Sequence, residues 1–354
     1  MSMFRVRSIQ VDHGDSLLVS YTSDGHVRHL LVDGGPANPS KTLQKVLKKV
    51  LGEEGVNGRL RLEALVVTHY DLDHIEGVIE LLQQKPSWLE IGDVWFNGYE
   101  HLQPADKLGP AQGDKLSRLI RSLGLPWNAS FPNDRAGGEG GAIHQGVLPV
   151  TLPGGLEVRV LSPDEPGLKA LARVWTNPQS PPPDEGVVHG DRLGPNDRWP
   201  LNDYRDYRIG GFTADGSTPN RSSIALLLTF DNKRVLLAAD ALASVVTSGL
   251  KMHLPGLRPI DLLKVSHHGS KRNTDRDLLD RINCRRFLIS TSGAKHNHPD
   301  FDLIALLLSR NNCPDIIFNY GKGHWPGEWR NKPLSWRFNA VFPRSNDLFV
   351  DIEL

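Results

Sequence analysis

The chain has 354 residues, 39% hydrophobic and 23% charged, the balance of a soluble globular protein with room for one large domain or two ordinary ones. Lysine plus arginine equals aspartate plus glutamate at 41 each, so no global field draws it to nucleic acid or membrane, although a local basic patch stays open. Two cysteines exclude a disulfide framework and a thiolate-rich metal site; with no export signal and no membrane-length apolar run, the expected location is the cytoplasm.

In chain order, short β-type runs alternate with amphipathic helical runs, the pattern of an α/β protein. Residues 4–11, 17–21 and 27–32 read as an opening meander. Residues 41–51 carry Leu43, Val46, Leu47, Val50 and Leu51 at helical spacing, with Gly52 as the expected C-cap. Residues 62–68 form an almost unbroken apolar strand, which implies burial on both faces. A helix follows over 75–82 and a strand over 93–96. From about 98 to 220 the texture changes. Gly137, Gly138, Gly140 and Gly141, and later Pro181-Pro182-Pro183, signal loops; only a helix at 115–123 and a strand at 156–161 stand out. This stretch is expected to be a loop-rich insertion within one domain spanning 1–354. Strands return at 223–230, 234–238, 260–265, 287–290 and 316–319, and residues 348–354 close the chain as a strand.

The chemistry gathers where strands end. His69, Asp71, Asp73 and His74 follow the buried strand directly, so four potential ligands within six residues can converge at a strand-to-helix turn. Imidazole nitrogen and carboxylate oxygen suit zinc, manganese or iron. The competing account is a polar turn with an acidic helix N-cap, yet two histidines and two aspartates beside Gly77 are uncommon there. Ser266-His267-His268-Gly269-Ser270 follows another buried strand and offers a second ligand source. Asp240 closes an apolar run, either to cap a helix or to bridge two metals. His298, in Lys295-His296-Asn297-His298-Pro299, is suited to donate a proton or hold a phosphate or carbonyl oxygen, with His296 as its solvated neighbour. Ends of this kind would line one edge of a sheet, where ligands gather in open α/β folds.

Together these segments resemble the metallo-β-lactamase superfamily, and most of all the metallo-β-lactamase domain of ComEC-type DNA-uptake proteins. The matching segments run in order: His13-Gly14-Asp15-Ser16, Leu31-Val32-Asp33-Gly34-Gly35, residues 68–74 with Gly77, Asn220-Arg221-Ser222-Ser223, residues 237–240, residues 263–270 and His298-Pro299. The resemblance implies a four-layer αββα sandwich with metals at one edge. It implies that His69 and Asp71 hold one metal, that Asp73, His74 and His267 hold the other, and that Asp240 bridges both. His267 is preferred to His268 because it stands nearest the strand. His268 is then left to support the site or, with Asp73 and His298, to take part in catalysis. Asp33 is expected to orient ligand histidines; Asp15 and Ser16 belong at the site's edge.

Two positions depart from the common pattern. Asp71 stands where many members have histidine, and Asn220, Ser222 and Ser223 stand where many supply another. More oxygen and fewer imidazoles favour manganese as a rival to zinc, in one or two ion positions. His144 and His189, both in the insertion, could replace the missing ligand.

Such a site brings the pKa of bound water from about 16 toward 7, which points to hydrolysis of a phosphodiester or an acyl-type bond. The resemblance is to a domain regarded as a nuclease, so a phosphodiester of nucleic acid or a nucleotide is expected. A small ester, lactone or phosphorylated headgroup is the alternative, and a catalytically quiet scaffold the least favoured. Lys264, Lys271, Arg272, Arg276, Lys295 and Lys322 could contact phosphates. Trp325, Trp329 and Trp336 could stack bases, but such residues more often pack a core. No membrane partner is expected.

Overall fold

In the computed structural model, which describes residues 2–37, 41–102, 111–133, 140–176, 203–206 and 212–354, two sheets pack face to face with helices on their outer sides. The first sheet opens with an antiparallel meander of β1 (Phe4–Ile9), β2 (Leu17–Ser23) and β3 (His26–Val32). Helix α1 (Thr42–Glu54) crosses to β4 (Leu60–Val66), parallel to β3. Helix α2 (Leu72–Gln83) then leads to β5 (Leu89–Ile91) and β6 (Val94–Trp95), both parallel to β4. Helices α3 (Tyr99–Leu102) and α4 (Ala111–Leu123) follow.

The second sheet begins at β7 (Val150–Thr151) and β8 (Glu157–Ser162). After α5 (Glu165–Thr176) and α6 (Thr218–Arg221) come β9 (Ala225–Phe230), β10 (Lys233–Leu237) and α7 (Ala243–His253). Beyond them lie β11 (Arg258–Ile260), β12 (Leu262–Lys264), α8 (Arg276–Arg281), β13 (Ile282–Cys284), β14 (Arg286–Ile289), α9 (Phe301–Arg310), β15 (Asp315–Phe318) and β16 (Asn339–Val341). The sheet order is β16-β15-β14-β12-β10-β9-β8-β7, while β11 and β13 pair separately. β17 (Phe349–Glu353) returns to the first sheet beside β1.

Strand alternation accounts for the layers. Along β9, Leu226 and Leu228 face the space between the sheets, where Val6, Val19 and Leu30 meet them; Ala225 and Leu227 face α7 and α9. In the first sheet Leu18 and Leu31 face α1 and α2. β4 is buried on both faces, as its composition predicts, and has a bulge at Glu63: His29 pairs with Leu62 but Leu30 with Ala64. The extra residue reverses the alternation, so Leu60 and Leu62 face the helices whereas Ala64 and Val66 face the second sheet.

Several expectations need correction. Gly52 does not end α1, which runs to Glu54 and is capped at Gly55. The strand expected at 260–265 is split at Asp261, because β11 leaves the main sheet to pair with β13. Within 98–220 the strand expected at 156–161 and the helix expected at 115–123 are present as β8 and α4, and α5 is a further helix. β8 pairs with β9 inside the second sheet, and α4 and α5 pack Leu116, Ile120 and Leu171 into the core over the first. Trp329 and Trp336, by contrast, take the packing role that the sequence favours over base stacking, buried in a cluster with Phe301 and Phe338. Cys284 is buried and Cys313 exposed, both free thiols. Among the described residues no helix is long and apolar enough to cross a membrane.

Helix α2 is seated by direct backbone contact. Gly34 N donates to His74 O and Gly77 N to Gly35 O, each at 2.9 Å, and a Cβ on Gly77 would lie 2.0 Å from Gly34 O. Alanine gains up to ~1 kcal/mol over glycine inside a helix, but overpacking costs ~1–3 kcal/mol. The clash therefore wins at Gly77. Denaturant unfolding should show Gly77→Ala to be destabilised by about that amount. Gly52→Ala, exposed in α1 with nothing within 4 Å of the added Cβ, should gain ~0.5–1 kcal/mol. A stabilised Gly77→Ala would contradict this seating.

Candidate metal centre

The loops after β3, β4, β10 and β12 meet at one edge of the sandwich, joined by the loop between β1 and β2. Asp33 organises the first half. Its Oδ1 accepts the amide of Thr68 at 2.8 Å, and its Oδ2 accepts the Thr68 hydroxyl and faces His74 Nδ1, each at 2.8 Å. Thr68 Oγ1, whose proton is thus committed, lies 3.0 Å from His69 Nδ1. From the second half, His268 Nδ1 meets the carbonyl of Ser290 at 2.9 Å, and His267 Nδ1 meets Asn273 Oδ1 at 3.0 Å. Each acceptor holds a proton on Nδ1, which makes Nε2 the atom of each ring that can take a metal or a second proton.

These Nε2 atoms converge on carboxylates. Asp240 Oδ2 lies 3.3 Å from His74, 3.6 Å from His268 and 3.7 Å from His267. Asp73 Oδ2 is 3.3 Å from His268 and 4.0 Å from His74, and Asp71 Oδ2 is 3.5 Å from His69. Such spacings are long for hydrogen bonds. They match instead the about 3.4 Å edge between two ligands of a tetrahedral ion with bonds of about 2.1 Å. The Nε2 atoms of His69, His74 and His268 are buried with no hydrogen bond, as is Asp240 Oδ1. Unpartnered buried donors and acceptors of this kind are rare and costly, and a cation would satisfy them together. His69, His74 and Asp240 form one compact triplet able to hold a metal ion; Asp73, His74 and His268 form a second.

The electrostatics agree. Burial opposes the charge on His268, yet Asp240 and Asp15 outweigh it and push the imidazole up to about 10. His74 is raised well above its usual value against the same burial by Asp240, Asp33 and Asp73. Burial likewise opposes charge on the acids. Even so, His74 and His268 hold Asp240 well below the usual carboxylate range, and Lys264 and His268 hold Asp15 at about 2. The cluster thus draws in protons wherever it has no other positive charge.

The two adjacent histidines do not sit as expected. His268, not His267, is buried against Asp73 and His74; His267 is partly exposed and faces Asp240 from the other side. Both adopt left-handed backbone, φ 49° and 56°, which throws successive rings apart. Of the other expected residues, Ser223 lies 3.3 Å from both His69 Nδ1 and the Asp240 amide. Asn220 donates to Asp215, and Ser222 turns to the Pro219 carbonyl. Ser16 is buried with its hydroxyl unbonded. His298 is buried with Nδ1 facing Asp300 at 3.4 Å. Lys271 sends its amide to Asp300 and its amine toward Asp302. Lys264 is not a phosphate contact, because it is fully buried and ion-paired with Asp15. His144 lies beside Glu165 in a separate cavity of about 820 Å³, away from these carboxylates, and His189 falls outside the described residues.

Sequence reasoning missed Asp215 and Asn273, which hold His267 and Asn220, and His13, whose ring lies 6.4 Å from that of His296 near Asp73. The signal for His13 was its place ahead of Asp15; the other two carry no local pattern.

Among solved structures, the chain is similar to the metallo-beta-lactamase fold protein YhfI from Bacillus subtilis, at 12% identity and TM-score 0.41, over 100% of both chains. It is similar to a diphosphatase of the PhnP family at 12% identity and TM-score 0.40, over 100% of this chain and 98% of that one. A variant of the CmlA beta-hydroxylase gives 12% identity and TM-score 0.40, this chain spanning 54% of its length. No curated protein matches. The sequence profile of the Metallo-beta-lactamase superfamily matches residues 11–293, most of the chain and every loop of the centre up to Gly293. The chain therefore belongs to the metallo-beta-lactamase superfamily, whose members are generally metal-dependent hydrolases.

Proposed function

We propose that this protein is a phosphodiesterase, acting on nucleic acid or a nucleotide, that works with one or two divalent cations at the Asp240 centre. The convergence of unpartnered Nε2 atoms on Asp240 and Asp73 supports the metal reading most directly. Asp73, His74 and His268 would hold one ion, His69 and Asp71 the other, and Asp240 would face both. Lewis acidity, with the pKa of coordinated water brought from about 16 toward 7, is what a divalent cation supplies there. Oxygen-rich donors make manganese as suitable as zinc.

The phosphodiester reading rests on the rim. His13, His296 and His298 form a row of imidazoles with rings 6.4 and 5.9 Å apart, and His298 lies 5.9 Å from His267. Ring N–H groups at that spacing suit the non-bridging oxygens of a phosphate more than an apolar acyl chain. His298 Nδ1 faces Asp300 at 3.4 Å, and this ring would be the one to hand a proton to the leaving oxygen. Two reduced cysteines fit a cytoplasmic location.

Metal-free protein resupplied with manganese or zinc should cleave single-stranded DNA, RNA or bis-p-nitrophenyl phosphate, and Asp73→Ala and Asp240→Ala should not. Failure of folded, metal-loaded protein on all three substrates would sink the phosphodiesterase reading and leave ester, lactone and headgroup hydrolysis to be assayed. Asp33→Asn should keep the fold while weakening metal affinity by roughly 10–100-fold, because it loosens the His74 ring rather than removing a ligand.

Cation loading should also release protons. His268, raised to about 10, carries a proton in metal-free protein at pH 7, and coordination must displace it. Affinity should accordingly fall as pH drops. Calorimetric titration in two buffers of different ionisation enthalpy counts the protons, and a count of zero at pH 7 would contradict a protonated His268 in the metal-free protein.

A further inference from the structure

Lys264, the last residue of β12, is fully buried between the sheets. Lysine is almost never enclosed unless its charge is met. Its amine contacts the Asp15 carboxylate, lies 3.2 Å from the carbonyl of Ala239, and stands 4.0 Å from Asp240 Oδ1. Asp15 is equally buried, and its other oxygen lies 3.4 Å from His268 Nδ1. The Asp15 amide in turn donates to the carbonyl of Asp73 at 3.2 Å. The ion pair thus ties the β1–β2 loop of the first sheet to the end of β12 in the second, and the same amine reaches the loop after β10 through the Ala239 carbonyl.

Asp15 has donors close enough to Asp240 and His268 to form a third ligand triplet. A lysine amine already meets it. We infer that Lys264 is a built-in counter-cation: a positioning residue that neutralises Asp15, leans on the open oxygen of Asp240, and holds the centre together before metal arrives. The inference rests on the metal reading above. A structural ion pair unconnected to the metals would support the metal-free and metal-loaded forms alike. A counter-cation supports chiefly the metal-free form, since the ions bring their own positive charge, and it weakens the pull of the site on them.

Thermal unfolding and zinc-binding titrations of Lys264→Met, Lys264→Arg and the parent distinguish the two. Lys264→Met should lose more Tm without zinc than with it, and should bind zinc about tenfold tighter or more, as expected for removing one nearby positive charge. Lys264→Arg should stay close to the parent in the size of its zinc-linked rise in Tm. An equal loss of Tm in both forms, or zinc affinity unchanged or weaker, would overturn the inference. If Lys264→Met does not fold at all, Asp15→Asn with Lys264→Met decides. Recovery of a folded metal-free protein supports a charge pair whose members answer each other, and no recovery overturns it. A parent whose Tm and binding show no response to zinc or manganese would defeat the metal reading itself, and this inference with it.

Discussion

Burying Asp15, Asp33 and Asp240 together, with Asp73 at their side, is the constraint around which this molecule is arranged. Carboxylates out of water are costly singly and repel one another in company. Each has a different remedy. Asp33 is given hydrogen-bond donors from Thr68 and a ring nitrogen from His74. Asp15 is given a lysine. Asp240 is given imidazoles whose basicity it raises. The partners of Asp15 and Asp240 come in part from the opposite half, so the two sheets are locked at this edge by charge as well as by the apolar layer between them.

The fold was legible in proportion to how local its signals are. The opening meander, β4, β9, β10 and the alternating layers could be read because period and apolar content reside in the segments themselves. The Asp and His run after β4 was legible for the same reason, since convergence there needs only one turn. What failed were features decided by distant partners. Nothing near Lys264 in sequence announces Asp15, some 250 residues earlier, and its charge read as exposed. Asp215 and Asn273 acquire meaning only when both approach His267. The placement of His267 and His268 was not legible for a subtler reason. Proximity to the strand is a matter of sequence, but ring direction is set by two consecutive left-handed residues, a conformation neither side chain favours. Within 98–220, α5 was not legible because loop signals surround it on both sides.

Fold and substrate are separable here. The sandwich brings strand ends to an edge and holds a buried acid-and-imidazole cluster, which the superfamily uses for varied chemistry. In the proposed reading, selection among substrates would fall to the rim, where His13 comes from one sheet and His296 and His298 from the other. A change in substrate would therefore involve loops from both halves while leaving the cluster beneath untouched.

The bulge at Glu63 bears on which alterations the protein can survive. Upstream of it, one parity of β4 faces the helices; downstream, the opposite parity does, and the corrected phase carries straight into Thr68 and His69. Aliphatic exchanges along the strand alter packing by increments. Adding or deleting one residue between Leu62 and Val66 would rotate everything beyond by half a turn, directing imidazole toward the oil and leucine toward the acids. Length, rather than composition, is the property of this strand that cannot drift.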